Sequence, residues 1–433
     1  MKIFTYPSKS AEKKVESIVN RGFDFKKKDI RDVTRIITDV RKNGDKALIG
    51  YVNRFDSPKM KIASIRVTRK EMDAAVKKVD RSFVRALNRA ATQIEFFHGR
   101  DPSRSWIDPL RPGTLVGQMV NPVDAAGIYV PGGTGGKTPL VSSVLMGAIP
   151  AKIAGVKRIA MATPALKDGK VNPHLLAAAK KAGVDAVYKV GSAWAIAALA
   201  YGTETVPKVD VIVGPGNIYV TIAKKIVAGD VGIDMVAGPS EILIVADDTA
   251  NPEFVAADLL SQAEHDTMAS AILATDSRST AEAVAKAVSL QLERLSRREI
   301  ASESLSRYGA IMVVPDLDTA LELANRIAPE HLELHTEDPF DHIGKIRNAG
   351  AVFIGEYSPE PMGDYIAGPN HVLPTGGTAR FSSALSVDTF LKKTSLIQYS
   401  RSALKREARD VIRLAEIEGL DAHANAVKIR LKP

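Results

Sequence analysis

The chain has 433 residues, is 45% hydrophobic and 25% charged, and carries a formal net charge of +9, which is typical of a globular protein with two or more domains. It contains no cysteine, which excludes disulfides, thiolate metal ligands and a thiol nucleophile. The sequence shows no signal segment and no membrane span, so we expect a cytoplasmic protein without membrane contact. Basic residues are scattered and aromatic residues make up 6%, so we expect no nucleic-acid surface.

The first hundred or so residues show helical periodicity, and Asn43-Gly44 predicts the end of one helix. From about residue 126, short β-branched runs alternate with alanine-rich helical segments. The predicted strands are Gly127–Val130, Arg158–Met161, Ala186–Val190, Val209–Val213, Ile242–Val245, Ala271–Ala274, Ile311–Val314 and Ala351–Ile354.

Alternating strands and helices predict parallel sheets that helices cover on both faces. We therefore predict an α/β fold with two Rossmann-like parallel-sheet domains and helical N- and C-terminal extensions. The predicted parts are an extension at 1–30, an α/β domain made of 31–129 with 238–380, a second α/β domain at 130–237, and a helical tail at 381–433. The N-terminal helical region is expected to pack on the sheet formed by residues 240–380.

The glycine-rich stretch PGGTGGKT, residues 131–138, resembles a phosphate-binding P-loop. A P-loop needs its first glycine five residues before the Gly-Lys pair, and Pro131 stands there without an N–H. The spacing therefore excludes an ATP-type P-loop. Ligands in doubly wound folds bind at the carboxyl ends of strands, so YVPGGTGG, VGPGNIY and VAGPSE are either ligand-binding turns or tight strand-to-helix connections.

Two short polar stretches contain candidate catalytic or metal-binding side chains. Gln262 and His265 are three residues apart, so on a helix they would share a face and form half of a metal site, the alternative being a surface histidine. Glu330 and His331 could supply two proton-transfer groups. The alternative there is an ordinary helix start after Pro329.

Two further stretches combine glycine with acidic and imidazole side chains. Asp364 and His371 lie in a long Gly- and Pro-rich loop, which favours a functional role. Glu418 and His423 lie on either side of a predicted helix break at Gly419, where capping is the alternative. Oxygen and nitrogen donors beside glycine turns indicate a metal-assisted enzyme with a nucleotide-type cofactor.

From about residue 30 to the end, the sequence resembles the L-histidinol dehydrogenase family. The segments that carry this resemblance, in order, are GIYVPGGT, VGPGNIYV, AGPSEILIVAD, LLSQAEHD, APEHLEL, GDYIAGPNHVLPTGGTARF and EGLDAHA. The resemblance implies oxidation of L-histidinol through L-histidinal to L-histidine, the last step of histidine biosynthesis, with reduction of two NAD⁺. It also implies one Zn²⁺ per subunit and a homodimer that shares its sites.

The resemblance implies a role for each matching residue. Glu330 and His331 would be catalytic, and Tyr129, Trp194 and Asn217 would contact the cofactor. His423 would complete the site of the partner subunit. The implied zinc ligands are Gln262, His265, Asp364 and His423, and the implied substrate contacts are Ser240, Gln262, His265, His331, Asp364, His371, Glu418 and His423.

The absence of cysteine bears on the second oxidation step. A thiohemiacetal route is closed, so water must add to the aldehyde, with Glu330 as the base that activates it. The sequence departs from the family at Trp194, where a Gln is usual, and at Gly135-Gly136-Lys137. Trp194 is expected to stack on a cofactor ring instead.

Two alternatives remain open from the sequence. One is a related dehydrogenase with the same zinc site and another amino alcohol or a sulfonate as substrate. The other is a nucleotide- or nucleic-acid-binding protein that uses PGGTGGKT and the positive charge.

Overall fold

The computed structural model describes residues 1–21, 25–100, 103–132 and 138–432. Residues 133–137, which include the unusual Gly135-Gly136-Lys137, lie outside the described part. The chain divides into two compact units: residues 1–100 with 124–390, and residues 101–123 with 391–433.

The first unit contains both parallel sheets and most of the helices. Its strands are β1 Ile3–Thr5, β4 Ala125–Tyr129, β5 Arg158–Thr163, β6 Ala186–Lys189, β7 Val211–Val213, β8 Gly232–Ile233, β9 Glu241–Ala246, β10 Ser270–Thr275, β11 Ala310–Val313, β12 His331–His335 and β13 Ala351–Ile354. Its helices are α1 Lys9–Val19, α2 Lys27–Tyr51, α3 Arg69–Val76, α4 Arg81–His98, α5 Val141–Ala154, α6 Pro173–Ala182, α7 Ser192–Tyr201, α8 Ile218–Val227, α9 Pro252–Ala263, α10 Arg278–Leu292, α11 Arg298–Tyr308, α12 Leu317–Ile327 and α13 Glu360–Tyr365.

The two sheets are parallel throughout, as the alternating sequence pattern predicts. One has six strands in the order β1-β11-β10-β9-β12-β13, and the other has five in the order β6-β5-β4-β7-β8. All eight predicted strands are present. The α/β fold with two parallel sheets is therefore confirmed. Strands β1, β8 and β12 of these sheets were not predicted from the sequence.

Helices bury the six-stranded sheet on both faces. Residues of β9 and β10 are buried at every position, which explains their unbroken apolar runs. One face packs against α9, α10 and α11, and the opposite face packs against α1 and α12.

The five-stranded sheet is covered partly by the N-terminal region, which differs from our prediction. Helix α1 does pack on the six-stranded sheet, but the apolar face of α2, including Val33, Ile37 and Leu48, packs with α7 and α8 on the five-stranded sheet. Helix α2 also continues through Gly44, where φ is +53° and the helix kinks, instead of ending there. Strand β4 also belongs to this sheet, whereas the predicted boundary at residue 130 assigned its residues to the other domain.

The second unit is an antiparallel sheet followed by two helices. Its elements are β2 Trp106–Arg111, β3 Thr114–Pro122, β14 Leu391–Tyr399, α14 Arg401–Ile417 and α15 Asp421–Lys428, with the strand order β14-β3-β2. The predicted all-helical tail is thus wrong at its start, because β14 pairs with β3 along nine residues. The predicted break at Gly419 is present, with a φ of +69°. Among the helices described, none has the length and apolar character needed to cross a bilayer.

Candidate functional site

The predicted catalytic residues lie at the amino ends of neighbouring strands in the six-stranded sheet. His331 is the first residue of β12 and pairs with Ile242 near the start of β9. Ser240 directly precedes β9, and its carbonyl accepts a hydrogen bond from the N–H of Ser270 at 2.9 Å. Helix α9 follows β9 and leads back to the start of β10, so its C-terminal residues return to this same edge. Of the glycine-rich turns that we expected at carboxyl ends of strands, those after Tyr129 and Val213 do follow β4 and β7, whereas VAGPSE leads into β9 at its amino end.

Strand β12 places three ionisable side chains on one face. The sequence His-Leu-Glu-Leu-His alternates, so His331, Glu333 and His335 share a face while the two leucines pack in the opposite core. All three are buried. The alternative of a helix start after Pro329 is therefore wrong, and the two-residue period was the signal for a strand.

The hydrogen bonding of His331 determines which ring nitrogen can act as a base. Its Nδ1 lies 2.9 Å from the backbone carbonyl oxygen of Glu241, which can only accept a hydrogen bond. The proton therefore sits on Nδ1, and Nε2, which is buried without a hydrogen-bond partner among the described residues, presents its lone pair. Burial lowers the pKa of His331 to about 4, which keeps the ring neutral and able to accept a proton.

Glu330 is held by a buried network that the sequence did not reveal. Its carboxylate accepts the N–H of Glu241 at 3.1 Å, and its own N–H donates to the carboxylate of Glu241 at 3.2 Å. Arg21 pairs with the other oxygen of Glu241 at 2.7 Å, with both side chains almost fully buried. Burial, together with the neighbouring charge of Glu241, raises the pKa of Glu330 well above its ordinary value. Such a carboxyl has the basicity needed to take a proton from water.

Asp364 and His371, which belong to the Gly- and Pro-rich loop, lie beside His331. A carboxylate oxygen of Asp364 lies 3.6 Å from Nδ1 of His371. Burial acts to raise the pKa of Asp364, but the neighbouring imidazole of His371 outweighs it and the pKa is lowered. His331, Asp364 and His371 line a pocket of about 370 Å³ together with residues of β13. Glu360, whose pKa burial raises to about 9, lies 3.8 Å from Nε2 of His331.

Gln262 and His265 reach the same edge of the sheet from the end of α9. The helix ends at Ala263, so His265 lies beyond it and does not share a helix face with Gln262 as we predicted. Gln262 is 1% exposed, and its Oε1 is buried without a hydrogen-bond partner among the described residues. An orphaned amide oxygen beside an exposed histidine suits a metal ion that takes oxygen and nitrogen donors.

Sequence reasoning missed a second group of buried side chains farther along β12. Asp258 on α9 and Glu333 and His335 on β12 bring a ligand-type atom each within 4.8 Å of one another. Burial raises the pKa of Asp258 to about 7, and the charge of Glu333 acts in the same direction.

Trp194 is packed inside the protein, which differs from its predicted stacking on a cofactor ring. Its indole N–H donates to Asp56 at 3.0 Å, and its ring stacks with Tyr51 and Phe55 at centroid distances of 6.0 and 5.4 Å. Burial raises the pKa of Asp56 to about 6, although the hydrogen bond from the indole opposes the rise. The tryptophan thus satisfies a buried carboxyl and leaves 6% of its surface exposed.

Tyr129 and Asn217 lie at two turns of the five-stranded sheet. Tyr129 ends β4 as a buried side chain, and its hydroxyl accepts the N–H of Ser192 at 3.0 Å. Asn217 is exposed and caps α8 by accepting two backbone N–H groups of the first turn. Gly214 before it has a φ of +115°, and a Cβ there would overlap the backbone carbonyl of Tyr129. The turn therefore requires glycine, which accounts for VGPGN structurally.

Glu418 and His423 lie in the second compact unit, on either side of Gly419. Glu418 is the C-cap of α14, and His423 lies in the first turn of α15. Both side chains are exposed in the single chain.

Comparison with known proteins identifies the family of this chain. A sequence model of the histidinol dehydrogenase family matches residues 20–431. The chain is 56% identical over 400 residues to histidinol dehydrogenase of Desulfotalea psychrophila, covering 92% of each chain, and 50% identical over 432 residues to that of Heliobacterium mobile, covering 100% of each. The crystal structure of histidinol dehydrogenase from Elizabethkingia anophelis matches with a TM-score of 0.93 and 39% identity over 100% of this chain and 98% of that one. The chain therefore belongs to the histidinol dehydrogenase family.

Proposed function

We propose that this chain is a zinc- and NAD-dependent dehydrogenase that oxidises L-histidinol through L-histidinal to L-histidine, reducing two NAD⁺. The observation that carries the proposal is the environment of His331. Its Nδ1 donates a hydrogen bond to a backbone carbonyl oxygen. Its Nε2 lies at the pocket and has no hydrogen-bond partner among the described residues. A neutral imidazole in that state is a base ready to receive the hydroxyl proton of an alcohol.

In the first oxidation, Nε2 of His331 accepts the hydroxyl proton while the carbinol carbon loses hydride. Bound NAD⁺ would supply the acceptor for that hydride. The pocket beside His331 is lined by β13 and the loop that follows it, which leaves room for a small substrate next to Nε2. The product of this step is the aldehyde.

The second oxidation needs an oxygen atom from water, because the chain has no cysteine that could form a thiohemiacetal. Glu330 is the base for this step, since burial raises the pKa of its carboxyl well above the ordinary value and a hydrogen bond from the N–H of Glu241 holds that carboxyl in place. It takes the proton from water as the oxygen adds to the aldehyde carbon. Protonated His331 returns its proton to the aldehyde oxygen as water adds, which gives the hydrate and leaves the imidazole neutral. The hydrate then loses the second hydride while Nε2 of His331 accepts a proton from one of its hydroxyl groups.

The donor set fits Zn²⁺ at this edge of the sheet. Gln262, whose buried Oε1 has no other partner among the described residues, would hold the ion with His265 and Asp364. The remaining ligand would be His423 from the partner subunit of a homodimer, where Glu418 would also contact substrate. Zn²⁺ bound there would supply a positive centre that orients the nitrogens of the substrate.

The test is to count NADH per histidinol. Purified protein is mixed with excess NAD⁺ and limiting L-histidinol, and NADH absorbance is followed to completion, with and without a zinc chelator. Two NADH per histidinol, lost on chelation and restored by Zn²⁺, is the expected result. One NADH would overturn the role of Glu330 in the second step. No NADH from zinc-loaded protein, beside turnover of another amino alcohol, would favour the alternative substrate.

The shared site has its own test in mixed dimers. A Glu330→Gln chain and a His423→Asn chain are each expected to be nearly inactive as homodimers. When the two chains are mixed and allowed to exchange, one complete site should form in each mixed dimer, so part of the activity returns. No recovery in dimers that have exchanged would contradict the placement of His423 in the partner's site.

A further inference from the structure

A buried ion pair lies beside the glycine-rich turn that follows β7. Lys224 on α8 and Asp234, the residue after β8, pair with each other, and their side chains are 3% and 1% exposed. The ammonium of Lys224 donates to the carbonyl oxygen of Gly214 at 2.9 Å, and the carboxylate of Asp234 accepts the N–H of the same glycine at 2.8 Å. One ion pair therefore holds both backbone polar groups of the first residue of the turn.

The turn, residues 214–217, is also fixed at its other end and along one side. The side chain of Asn217 accepts the backbone N–H groups of Tyr219 and Val220, which sets the start of α8. On the side of β4, Gly214 lies so close to the carbonyl of Tyr129 that a Cβ would overlap it. The ion pair thus supplies the support that the helix cap and β4 do not provide, at the backbone of Gly214 itself.

The strand order gives this turn a particular location in the sheet. The order β6-β5-β4-β7-β8 means that the chain runs from β4 outward through β5 and β6 and then returns to the other side of β4 as β7. Open α/β sheets bind ligands in the crevice at such a reversal, outside the carboxyl ends of the two strands. Tyr129 ends β4 and residue 214 follows β7, so both border this crevice. NAD⁺ bound as proposed would therefore lie against the turn.

The effect of this ion pair is geometric more than stabilising. Removing two charges from water costs free energy that their mutual attraction only about offsets, so a buried pair adds little to overall stability. Its hydrogen bonds to the backbone are charge-assisted, and such bonds are shorter and stronger than those between neutral groups. Gly214, at a φ of +115°, has wide conformational freedom of its own. The two bonds restrict that freedom to one conformation.

We propose that Lys224 and Asp234 are positioning residues for the cofactor, and that their ion pair holds the turn at residues 214–217 in the conformation that binds NAD⁺. This inference rests on the use of NAD⁺ in the proposed function. A turn that is already ordered loses no further conformational freedom when the cofactor binds, so the affinity is higher. Both side chains are buried beside the turn and act through its backbone, away from the reacting atoms.

The test is calorimetric titration of zinc-loaded protein with NAD⁺. The double variant Lys224→Met/Asp234→Leu removes both charges together, so that neither is left buried without a partner. Its Kd for NAD⁺ should rise about 10–100-fold, while kcat at saturating NAD⁺ should stay within about threefold of wild type. The isosteric Asp234→Asn should weaken binding in the same direction. Amide hydrogen exchange of peptides that contain residues 214–217 should be faster in both variants, a readout that needs no cofactor.

A matched control separates positioning from a general loss of stability. Val227→Ala removes buried apolar packing from the same helix and leaves the ion pair in place, so it should lower the melting temperature and leave the Kd for NAD⁺ unchanged. Thermal melting establishes that each variant is folded. If wild type binds NAD⁺ and the folded variants Asp234→Asn and Lys224→Met/Asp234→Leu bind it equally well, or if Val227→Ala weakens binding as much as they do, the positioning role is overturned. If wild type binds no NAD⁺, the proposed function itself fails.

Discussion

Replacing Arg21 by Met tests whether the buried network behind Glu330 is ionic. Arg21 pairs with Glu241 at 2.7 Å, and Glu241 in turn exchanges two hydrogen bonds with Glu330. Burial raises the pKa of Glu241, and the guanidinium of Arg21 opposes that rise. The variant keeps an apolar side chain of similar length and removes the opposing charge together with the guanidinium hydrogen bonds to Glu241 and to the carbonyl of Ile18.

The loss in the free energy of unfolding depends on proton uptake by Glu241. Without Arg21, the buried carboxyl of Glu241 can take a proton as the chain folds, starting from an ordinary pKa of 4.5. At pH 7 this uptake costs at most about 3.4 kcal/mol, because each pH unit above the unfolded pKa costs about 1.36 kcal/mol. At pH 5.5 the same step costs about 1.4 kcal/mol. A folded pKa above the unfolded one means that the variant loses stability relative to wild type as the pH rises.

Thermal melting between pH 5 and pH 8 measures this loss. The melting temperature of Arg21→Met should fall below that of wild type by a margin that widens with pH. Arg21→Lys, which keeps the charge, should show a smaller gap. The double variant Arg21→Met/Glu241→Gln should show no such pH dependence. A gap of constant size across the range would refute the ionic interpretation of this network.

Four further predictions test the catalytic pair and the five-stranded sheet. Glu330→Gln should lower the rate of the aldehyde step by about 10²–10⁴-fold, seen as slow NADH formation from added histidinal; an unchanged rate would remove it as the base. Because burial lowers the pKa of His331 to about 4, kcat/KM should show no loss near pH 6.5 and should fall only as the pH approaches 4; a limb near 6.5 that vanishes in a His331→Asn variant would contradict this. Trp194→Phe should lower stability by about 1–3 kcal/mol by leaving Asp56 without its indole donor, whereas Trp194→Gln should lower it less; equal melting temperatures for both variants would argue against the hydrogen bond. Gly214→Ala should cost about 2–5 kcal/mol through strain and overlap and weaken NAD⁺ binding measured by calorimetry; a neutral effect would mean that the turn can move.

Local patterns in the sequence were sufficient for much of this protein. Apolar runs of four to six residues between helical segments predicted eight of the parallel strands, because a strand covered on both faces must be apolar at nearly every position. Short segments such as LLSQAEHD and APEHLEL identified the family, and the absence of cysteine restricted the chemistry of the second oxidation. Each of these inferences uses information contained within a few consecutive residues or in the composition.

The tertiary structure decided which distant residues meet. Arg21 and Glu241 are 220 residues apart, and Glu241 and Glu330 are 89 apart. They meet because crossover helices place β12 beside β9, an order that no local pattern specifies. The same placement makes His331, Glu333 and His335 a buried polar face opposite Asp258, where the sequence left a proton-transfer pair and an ordinary helix start as alternatives. Strand order depends on how the helices pack over the whole sheet, so the network behind Glu330 and the buried group of Asp258, Glu333 and His335 could be recognised only in the folded chain.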